Sequence, residues 1–498
     1  MNSCRATPVA RSTVSQFAIG IALCLAGSAT EAIAQAAPAV ESSAPQDSTA
    51  LQIDDIVVTA RKRTETVQRV PATINVVSQE VLSNTGSTSI LQLASVAPGI
   101  NIVKPGSGNE VGITIRGLGS LAQVPSFDSS VSLFGDGVYL PRSREFAASM
   151  FDVQRIEVIR GTQAALLGKN TSLGAINLVS RKPGDQFAVD YRTSYEFERG
   201  STQFAGGVDI PLAPNLALRV AGLFSDDQGW VFNRVTKDHE PHRKDVAGRA
   251  VLRWDATENL DVTAIVQSGL SRNRGSGVEF TETDGTPEFL AALAGYSGVI
   301  EGTLNRVNAQ TSAIGALDRL ATHRYSLIAN LKLGDYTLTS TTGYSDYDEN
   351  DRQDVDFVPG DYLNRLVNES GRQFSQEIRV ASPADRPFDF IVGALYLNGR
   401  LENKTEIDAN YPFGPFPGVN LAGSLRTDFL QNTEAVSVFG QANYKLTDRL
   451  RVTLGGRYTH ERKDVDLARE VLQPGLVSLV VFPPYAPFSM KHAESNFD

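Results

Sequence analysis

From residue 186 onward, apolar and polar positions alternate in runs of about ten. In "FAVDYRTSYEF", Phe187, Val189, Tyr191, Thr193, Tyr195 and Phe197 share one face, and Asp190, Arg192, Ser194 and Glu196 share the other. A period of two is that of a strand, whose side chains point to opposite faces in turn. The pattern returns in ten further segments, at 204–212, 216–224, 246–254, 260–268, 323–333, 336–346, 372–381, 388–397, 433–444 and 450–460. Their connections alternate in length. "APN", "DATEN", "GD", "SPADRP" and "KLTDR" are short, whereas 225–245, 269–322, 347–371 and 398–432 are long and polar or glycine-rich. Tight turns on one side and long loops on the other predict a transmembrane antiparallel β-barrel, with about 11–12 strands visible. Tyr195, Phe197, Trp254, Tyr325, Tyr344, Tyr396, Tyr444 and Tyr458, near strand ends, suit its interfacial aromatic girdles. A soluble sandwich predicts no such alternation of loop lengths.

The chain ahead of these strands has a different texture. Residues 66–183 carry short β runs, "ATINVVS", "VGITIRG", "VSLFGDGVYL", "QRIEVIRG" and "GAINLVS", separated by turn residues. "TSILQLASVAP" has helical spacing at Ile90, Leu93 and Val96 or Ala97, so a small α+β domain is predicted. Arg116-Gly117 and Arg160-Gly161 each end an apolar strand with a cation and a residue free to turn, for which a strand-end ion pair is the ordinary role. Residues 37–52, rich in Ala, Ser and Pro, bury too little to fold alone and read as a flexible tether. Set on that tether, "DDIVVTAR" (54–61) is a compact strand-former. A strand without a sheet is suited to joining one.

Residues 1–36 have the layout of a cleaved signal peptide. Arg5 and Arg11 precede the apolar run Phe17 to Ala26, too short to span a bilayer as a helix, and Ala32, Ala34 and Ala36 offer cleavage sites. Cys4 and Cys24 both lie in this segment, so disulfides, thiol catalysis and cysteine-bound metals are excluded from the exported chain. The balance of 46 Lys+Arg against 56 Asp+Glu, a formal charge of −10, disfavours nucleic acid as a partner. With 42 Gly, 23 Phe and 14 Tyr but 3 Met, the composition leans to β structure.

Candidate chemistry is sparse. "YSDYDENDRQDVDFVPGDY" gathers Asp346, Asp348, Asp351, Asp354, Asp356 and Asp361 and begins like a calcium loop, but Asp351 stands where that loop needs Gly and Phe357 where it needs Glu. A solvated acidic external loop is the expectation. His239 and His242 flank Glu240 without a third defined ligand. "GLGS" (117–120) lacks the third glycine and following helix of a dinucleotide fingerprint, and no G-x-S-x-G elbow occurs. Neither an enzyme, nor a cofactor, nor a metal site is expected.

"DDIVVTARKR", "VPATINVVSQEVL", "ITIRGLGS", "DGVYLPR" and above all "VQRIEVIRGTQAALLGKNTSLGAINLVSRKP" resemble the TonB box and plug of TonB-dependent outer-membrane receptors. "FSQEIRVAS" and "SVFGQANYKLTDRLRVTLGGRYTHERKD" resemble their barrel strands. The resemblance implies a TonB box at 53–61, a plug at 66–183 in the lumen, and a barrel from 187 to 498 in the cell outer membrane. Asp55, Ile56, Val57, Val58, Thr59 and Ala60 would pair with a periplasmic TonB-type energy-coupling protein by strand addition. Arg116, Gly117, Arg160, Gly161, Gly168, Asn170 and Gly174 would carry the plug motif. The family usually has Pro, Gly and Gly where this chain has Thr162, Ala164 and Leu173, which leaves the turn geometry there open.

The implied function is energised import of a scarce solute, a ferric siderophore or other metal chelate. Oligosaccharide or cobalamin-like cargo is the alternative, as is a ligand-sensing signalling receptor. Receptors of that last kind resemble this one but carry a folded domain before the box, for which the tether is too short. Lys104, Arg142 and Arg144 are candidates for an anionic ligand, and Phe127 and Phe146 for stacking on it. Plugged transporters of this type close with about 22 strands. The chain is therefore expected to be the N-terminal part of a longer receptor, with 461–498 opening another loop and a twelfth strand.

Overall fold

In the computed structural model the described residues run from Val57 to Phe497, apart from 60–61, 64, 71, 87–88, 105–108, 121–123, 147–148, most of 283–305, 308, 313–315, 412–419 and 448. The expected signal peptide and tether, both cysteines, and Asp55, Ile56 and Ala60 of the box lie outside the described residues.

The first part is the plug. A two-residue strand β1 (Val57–Val58) pairs antiparallel with β2 (Glu65–Thr66). Then follow β3 (Thr73–Ser78), α1 (Gln79–Asn84), α2 (Ile90–Val96), β4 (Ile100–Val103), β5 (Gly112–Ile115), β6 (Leu118–Ser120), β7 (Val131–Gly135), β8 (Val138–Leu140), β9 (Val153–Arg160), α3 (Ala164–Leu167) and β10 (Gly174–Ser180). Five of the strands form a mixed sheet in the order β3-β9-β10-β7-β8, and β4, β5 and β6 form a second. The expected helix starts where Ser89 and Gln92 close a reciprocal capping box, and it buries Ile90 and Leu93. These pack with Ile113, Leu133, Phe146, Ile156, Val158 and Ile176 in one core between the sheets and helices.

The second part is one sheet of twelve antiparallel strands, each paired to the next in sequence. It comprises β11 (Ala188–Glu196), β12 (Ser201–Ala213) and β13 (Leu216–Asp227), then a small hairpin of β14 (Val231–Asn233) and β15 (Asp238–Glu240) that stays outside the sheet. The wall continues with β16 (His242–Thr257), β17 (Leu260–Arg274), β18 (Leu317–Leu333), β19 (Tyr336–Asp354), β20 (Leu363–Ala381), β21 (Phe388–Tyr411), β22 (Leu421–Thr447), β23 (Leu450–Gln473) and β24 (Tyr485–Phe497). All eleven expected strands are present, and β24 is the twelfth. No helix among the described residues is long and apolar enough to cross a membrane.

The wall is apolar outside and polar inside, as a membrane barrel requires. All eight girdle aromatics face outward, with exposure from 36% at Tyr396 to 87% at Phe197. The inward positions carry Arg219, Arg249, Gln267, Arg324 and Arg457, each under 5% exposed, because the plug fills the space in front of them. Phe151 of the plug packs on Ala221, Leu223 and Ala247 of the wall, and Leu166 on Ile391 and Phe439.

The expected loops are shorter than the spacing implied. Residues 347–354 and 363–371 are strand, as are most of 398–432. Beyond the membrane both faces of a strand meet polar surroundings, so the period of two vanishes although the backbone ladder continues. The acidic stretch is accordingly not a solvated loop. Asp346 and Asp348 face outward on β19, whereas Asp351 and Asp354 are buried, and only 355–362 turn.

Arg219 shows how plug and wall are joined. Its guanidinium donates to Asp152 of the plug (2.6 and 2.9 Å), Asp190 of β11 (2.9 Å) and Asp209 of β12 (2.8 Å). Removing one member of a buried charge set typically costs about 3–5 kcal/mol, because the remaining carboxylates stay desolvated. Arg219→Gln is expected to lower stability by about that amount. Urea unfolding followed by tryptophan fluorescence measures it, and a shift under 1 kcal/mol contradicts it.

Candidate functional site

Two ends of the plug carry the candidate residues. At one end are its apex loops, around Lys104, Asn109, Glu110, Phe127 and the 3-10 turn Ser143–Phe146. At the other end the segment Val57–Arg63 enters next to the short turns of the wall.

At the apex, Arg144 is the hub. It forms ion pairs with Glu110 of the plug, Glu349 of β19 and Glu369 of β20, and stacks over Tyr347 at 5.6 Å. Those carboxylates are themselves held. Asn109 donates its backbone N–H to Glu349 (3.0 Å), and Tyr347 and Asn403 donate to Glu369 (2.6 and 2.8 Å). Arg142 donates to the carbonyls of Phe127 and Pro125, and Glu110 lies 3.8 Å away. Phe146 is fully buried in the plug core.

Three of the five expected ligand contacts are therefore committed inside the protein. Arg142 and Arg144 order the apex loops and lock them to the wall, and Phe146 is core. A short R-S-R-E-F run shows the side chains that could meet an anion but not the wall carboxylates, more than 200 residues away in sequence, that meet them first. Phe127 is 61% exposed and remains open to a ligand. Lys104 is half-buried and has no ion pair among the described residues; burial and the nearby Arg243 push its amine down to about 8 against the pull of Asp318, Asp351 and Glu349.

Behind the apex, Lys169 bridges Asp128 (3.2 Å) and Glu461 of β23 (3.0 Å), and Lys463 reaches Asp128 at 2.8 Å. Burial pushes the Asp128 carboxyl up, but the two lysines together hold it well below the usual carboxylate range. Asp128, Tyr139, Arg142, Lys169 and Tyr347 line a cavity of about 60 Å³, room for a few waters. A larger hollow of about 420 Å³ lies among β21 to β24 and touches no plug residue. No group of three His, Asp or Glu side chains among the described residues is arranged to hold a metal, and His242 instead bonds Asp226 at 2.7 Å.

The motif glycines serve close approach. Arg116 and Gly117 both have positive φ (54° and 79°) in the turn between β5 and β6, where Arg116 is exposed and has no ion pair among the described residues. Arg160 lies against Gly99, and Gly161 (φ 88°) bonds the carbonyl of Leu173. A Cβ at Gly168 would collide with Arg457, and one at Gly174 with the carbonyl of Ile159. Asn170 donates to the Tyr139 hydroxyl at 2.8 Å. Where the family has Pro, Gly and Gly, Thr162 closes the turn onto the Ser172 carbonyl (3.0 Å), Ala164 starts α3 and Leu173 packs on the core.

At the opposite end the box segment is docked. Val57 stays 39% exposed, whereas Val58 is 1% exposed and packs with Val70, Phe134, Ile159, Leu167 and Ala175. Thr59 gives its backbone N–H (2.8 Å) and hydroxyl (3.1 Å) to Glu157, which also accepts from Arg155 (2.8 Å) and Asn177 (3.2 Å). Beyond it Lys62 pairs with Glu377 of β20, and Arg63 with Asp389 of β21 (2.6 Å). The expected free strand is thus held by a two-residue ladder and a buried carboxylate. Glu157 was not anticipated; its signal is a lone carboxylate in the otherwise apolar "IEVI".

Residues 66–175 match the family model of the TonB-dependent receptor plug domain, and residues 259–475 that of the TonB-dependent receptor-like β-barrel. A pesticin receptor of Yersinia enterocolitica is 34% identical over 424 residues, covering 81% of this chain and 55% of that protein. A ferric enterobactin receptor of Pseudomonas aeruginosa is 23% identical over 458 residues, covering 85% and 59%. Among solved structures, the ferric yersiniabactin uptake receptor of Yersinia pestis superposes with a TM-score of 0.69 at 20% identity, covering 86% of this chain and 61% of that one. The siderophore receptor of Acinetobacter baumannii gives 0.67 at 15%, covering 90% and 64%. The chain thus spans a little over half the length of the curated relatives it matches.

Glu145 supplies a test of the apex. Fully buried on the 3-10 turn, its carboxyl is pushed up to about 7 by burial, against bonds from Ser345 and the Arg142 N–H. Its folded value exceeds its unfolded one, so it stabilises the fold at low pH and that contribution is lost as pH rises through about 7. Glu145→Gln is expected to raise the melting temperature at pH 8 and leave it nearly unchanged at pH 5, by differential scanning fluorimetry. An equal shift at both pH values contradicts the assignment.

One matching model covers the plug and the other most of the antiparallel wall around it, and the chain belongs to the TonB-dependent receptor family.

Proposed function

We propose that the protein imports a ferric siderophore or a related metal chelate across the outer membrane, driven by a TonB-type energy-coupling protein acting from the periplasm. The observation that carries this reading is the docked segment Val57–Thr59. It joins a plug that obstructs the lumen to a chain end on the side of the short turns, so force applied there acts directly on β9 through Glu157. The relatives named for ferric enterobactin and ferric yersiniabactin support the cargo class.

On this reading the coupling protein adds a strand along 53–61, with main-chain pairing providing most of the affinity. Asp55, Ile56, Val57, Val58, Thr59 and Ala60 would form the contact. Val58 and Thr59 are engaged with the plug here, so the partner competes with β2 and Glu157 for them. Ligand arrives from outside, where Phe127 and Lys104 remain available, and the route opens when the plug's contacts with the wall rearrange. The family is one of transporters and receptors, and no bond in the cargo is made or broken. Residues 1–36 would direct export and be removed.

Deletion of the gene is expected to abolish growth on one ferric chelate as sole iron source. The wild-type gene restores it. Val58→Pro removes a ladder donor and is expected to cut uptake at least tenfold while surface binding of the labelled chelate is unchanged. Unaltered uptake by this variant would overturn the assignment of the box. Growth of the deletion strain on every ferric chelate tried would overturn the cargo.

A further inference from the structure

On the outer face of the wall the apolar band ends in a row of cations. Trp254 of β16, Val262 of β17 and Ala329 of β18 lie in one register row, and ten residues along each strand Lys244, Arg272 and Arg319 lie in another. Between the rows the outward positions on β16 are Val246, Gly248, Ala250 and Leu252. Those on β17 and β18 are apolar too, save Ser268 and His323, which bond each other at 3.0 Å. Ten residues rising about 3.3 Å each, tilted by about 40°, climb roughly 25 Å, the height of the apolar band of an outer-membrane barrel. Since Trp254 lies near a short turn, the cations stand at the far interface, where the outer leaflet's headgroups are.

Arg272 and Arg319 are directly opposite each other across β17 and β18, and both are exposed. Like charges so placed destabilise a strand pair unless an anion lies between them. The neighbouring carboxylates are engaged elsewhere. Asp226 accepts from His242 (2.7 Å) and Lys244 (2.8 Å), Asp238 from Arg274 (2.7 Å), and Asp348 from Asn350 (3.0 Å). Among the described residues neither Arg272 nor Arg319 has an ion-pair partner.

We propose that Arg272 and Arg319, next to the Lys244–Asp226 pair, dock a phosphate of an anionic lipid headgroup in the outer leaflet. Guanidinium groups bind phosphate through paired N–H donors, which two facing arginines supply from both sides. The apolar rows below give the acyl chains their surface, so a lipid fits the site better than free phosphate does. The site is independent of the cargo and of the coupling protein.

Native mass spectrometry of the purified protein in detergent, titrated with diphosphorylated lipid A, tests it. The wild type is expected to retain the lipid, and the double variant Arg272→Gln/Arg319→Gln to bind at least tenfold more weakly. The Arg272→Lys/Arg319→Lys protein, which keeps the charge, should fall between them. Dephosphorylated lipid A should bind the wild type as weakly as it binds the Gln variant, and millimolar inorganic phosphate should not displace the intact lipid. Both positions are exposed strand sites, so the ladder survives substitution, and unchanged heat-modifiability on gels checks this. Equal lipid A affinity in wild type and Gln variant, equal binding of the dephosphorylated lipid, or displacement by inorganic phosphate would each overturn the proposal.

Discussion

Everything in this molecule follows from placing charges on the inner face of a sheet whose outer face meets lipid. Polar side chains cannot point into hydrocarbon cheaply, so the wall turns Arg219, Arg249 and Arg324 inward, where each needs a partner. The plug supplies those partners. Arg249 is met by the carbonyls of Ser149, Phe151 and Asp152, Arg324 by Asp136, and Arg219 by Asp152. In return the wall supplies Glu349, Glu369, Glu377, Asp389 and Glu461 to cations of the plug and its leading segment. Neither part is electrically complete without the other.

This reciprocity explains why the plug can be small and still ordered. Its two sheets are short, and its main core is aliphatic apart from Met150 and the aromatic Phe146. Its loops are positioned from outside. The apex depends on Glu349 and Glu369 of the wall to hold Arg144, and Gly168 has no Cβ so that Arg457 can lie against it. The docked segment at the other end follows the same rule, with Lys62 and Arg63 fastened to β20 and β21 just beyond Thr59.

The sequence made the membrane-spanning parts legible and the watery and buried parts less so. Lipid on one side enforces a strict period of two, so Val189, Tyr191 and Tyr195 mark β11. Where β19 continues through Tyr347, Glu349 and Asp351, polar residues occupy both faces and nothing in the pattern distinguishes strand from loop. The plug motif showed which residues turn the chain, but the availability of a side chain at the apex is decided by the wall. Arg144 and Phe127 look equally exposed in sequence; one is locked by three carboxylates and the other is open. The box segment was recognisable as a strand, while its present partner, Glu65–Thr66, is two polar residues that no pattern selects.

The alternation of faces also constrains how such a chain can drift over evolutionary time. Deleting one residue within β13 would turn Arg219 out toward the acyl chains and bring Val220 in against Asp152, and every later position on that strand would exchange faces with it. An outward arginine on such a wall costs up to about 2–4 kcal/mol at mid-bilayer and less towards the interface, before the stranded aspartates are considered. Substitutions can therefore accumulate within a span one at a time, whereas changes of length are confined to the hairpin ends. Relatives of this chain should differ in loop length far more than in the number of residues between a short turn and the first outward residue beyond the membrane.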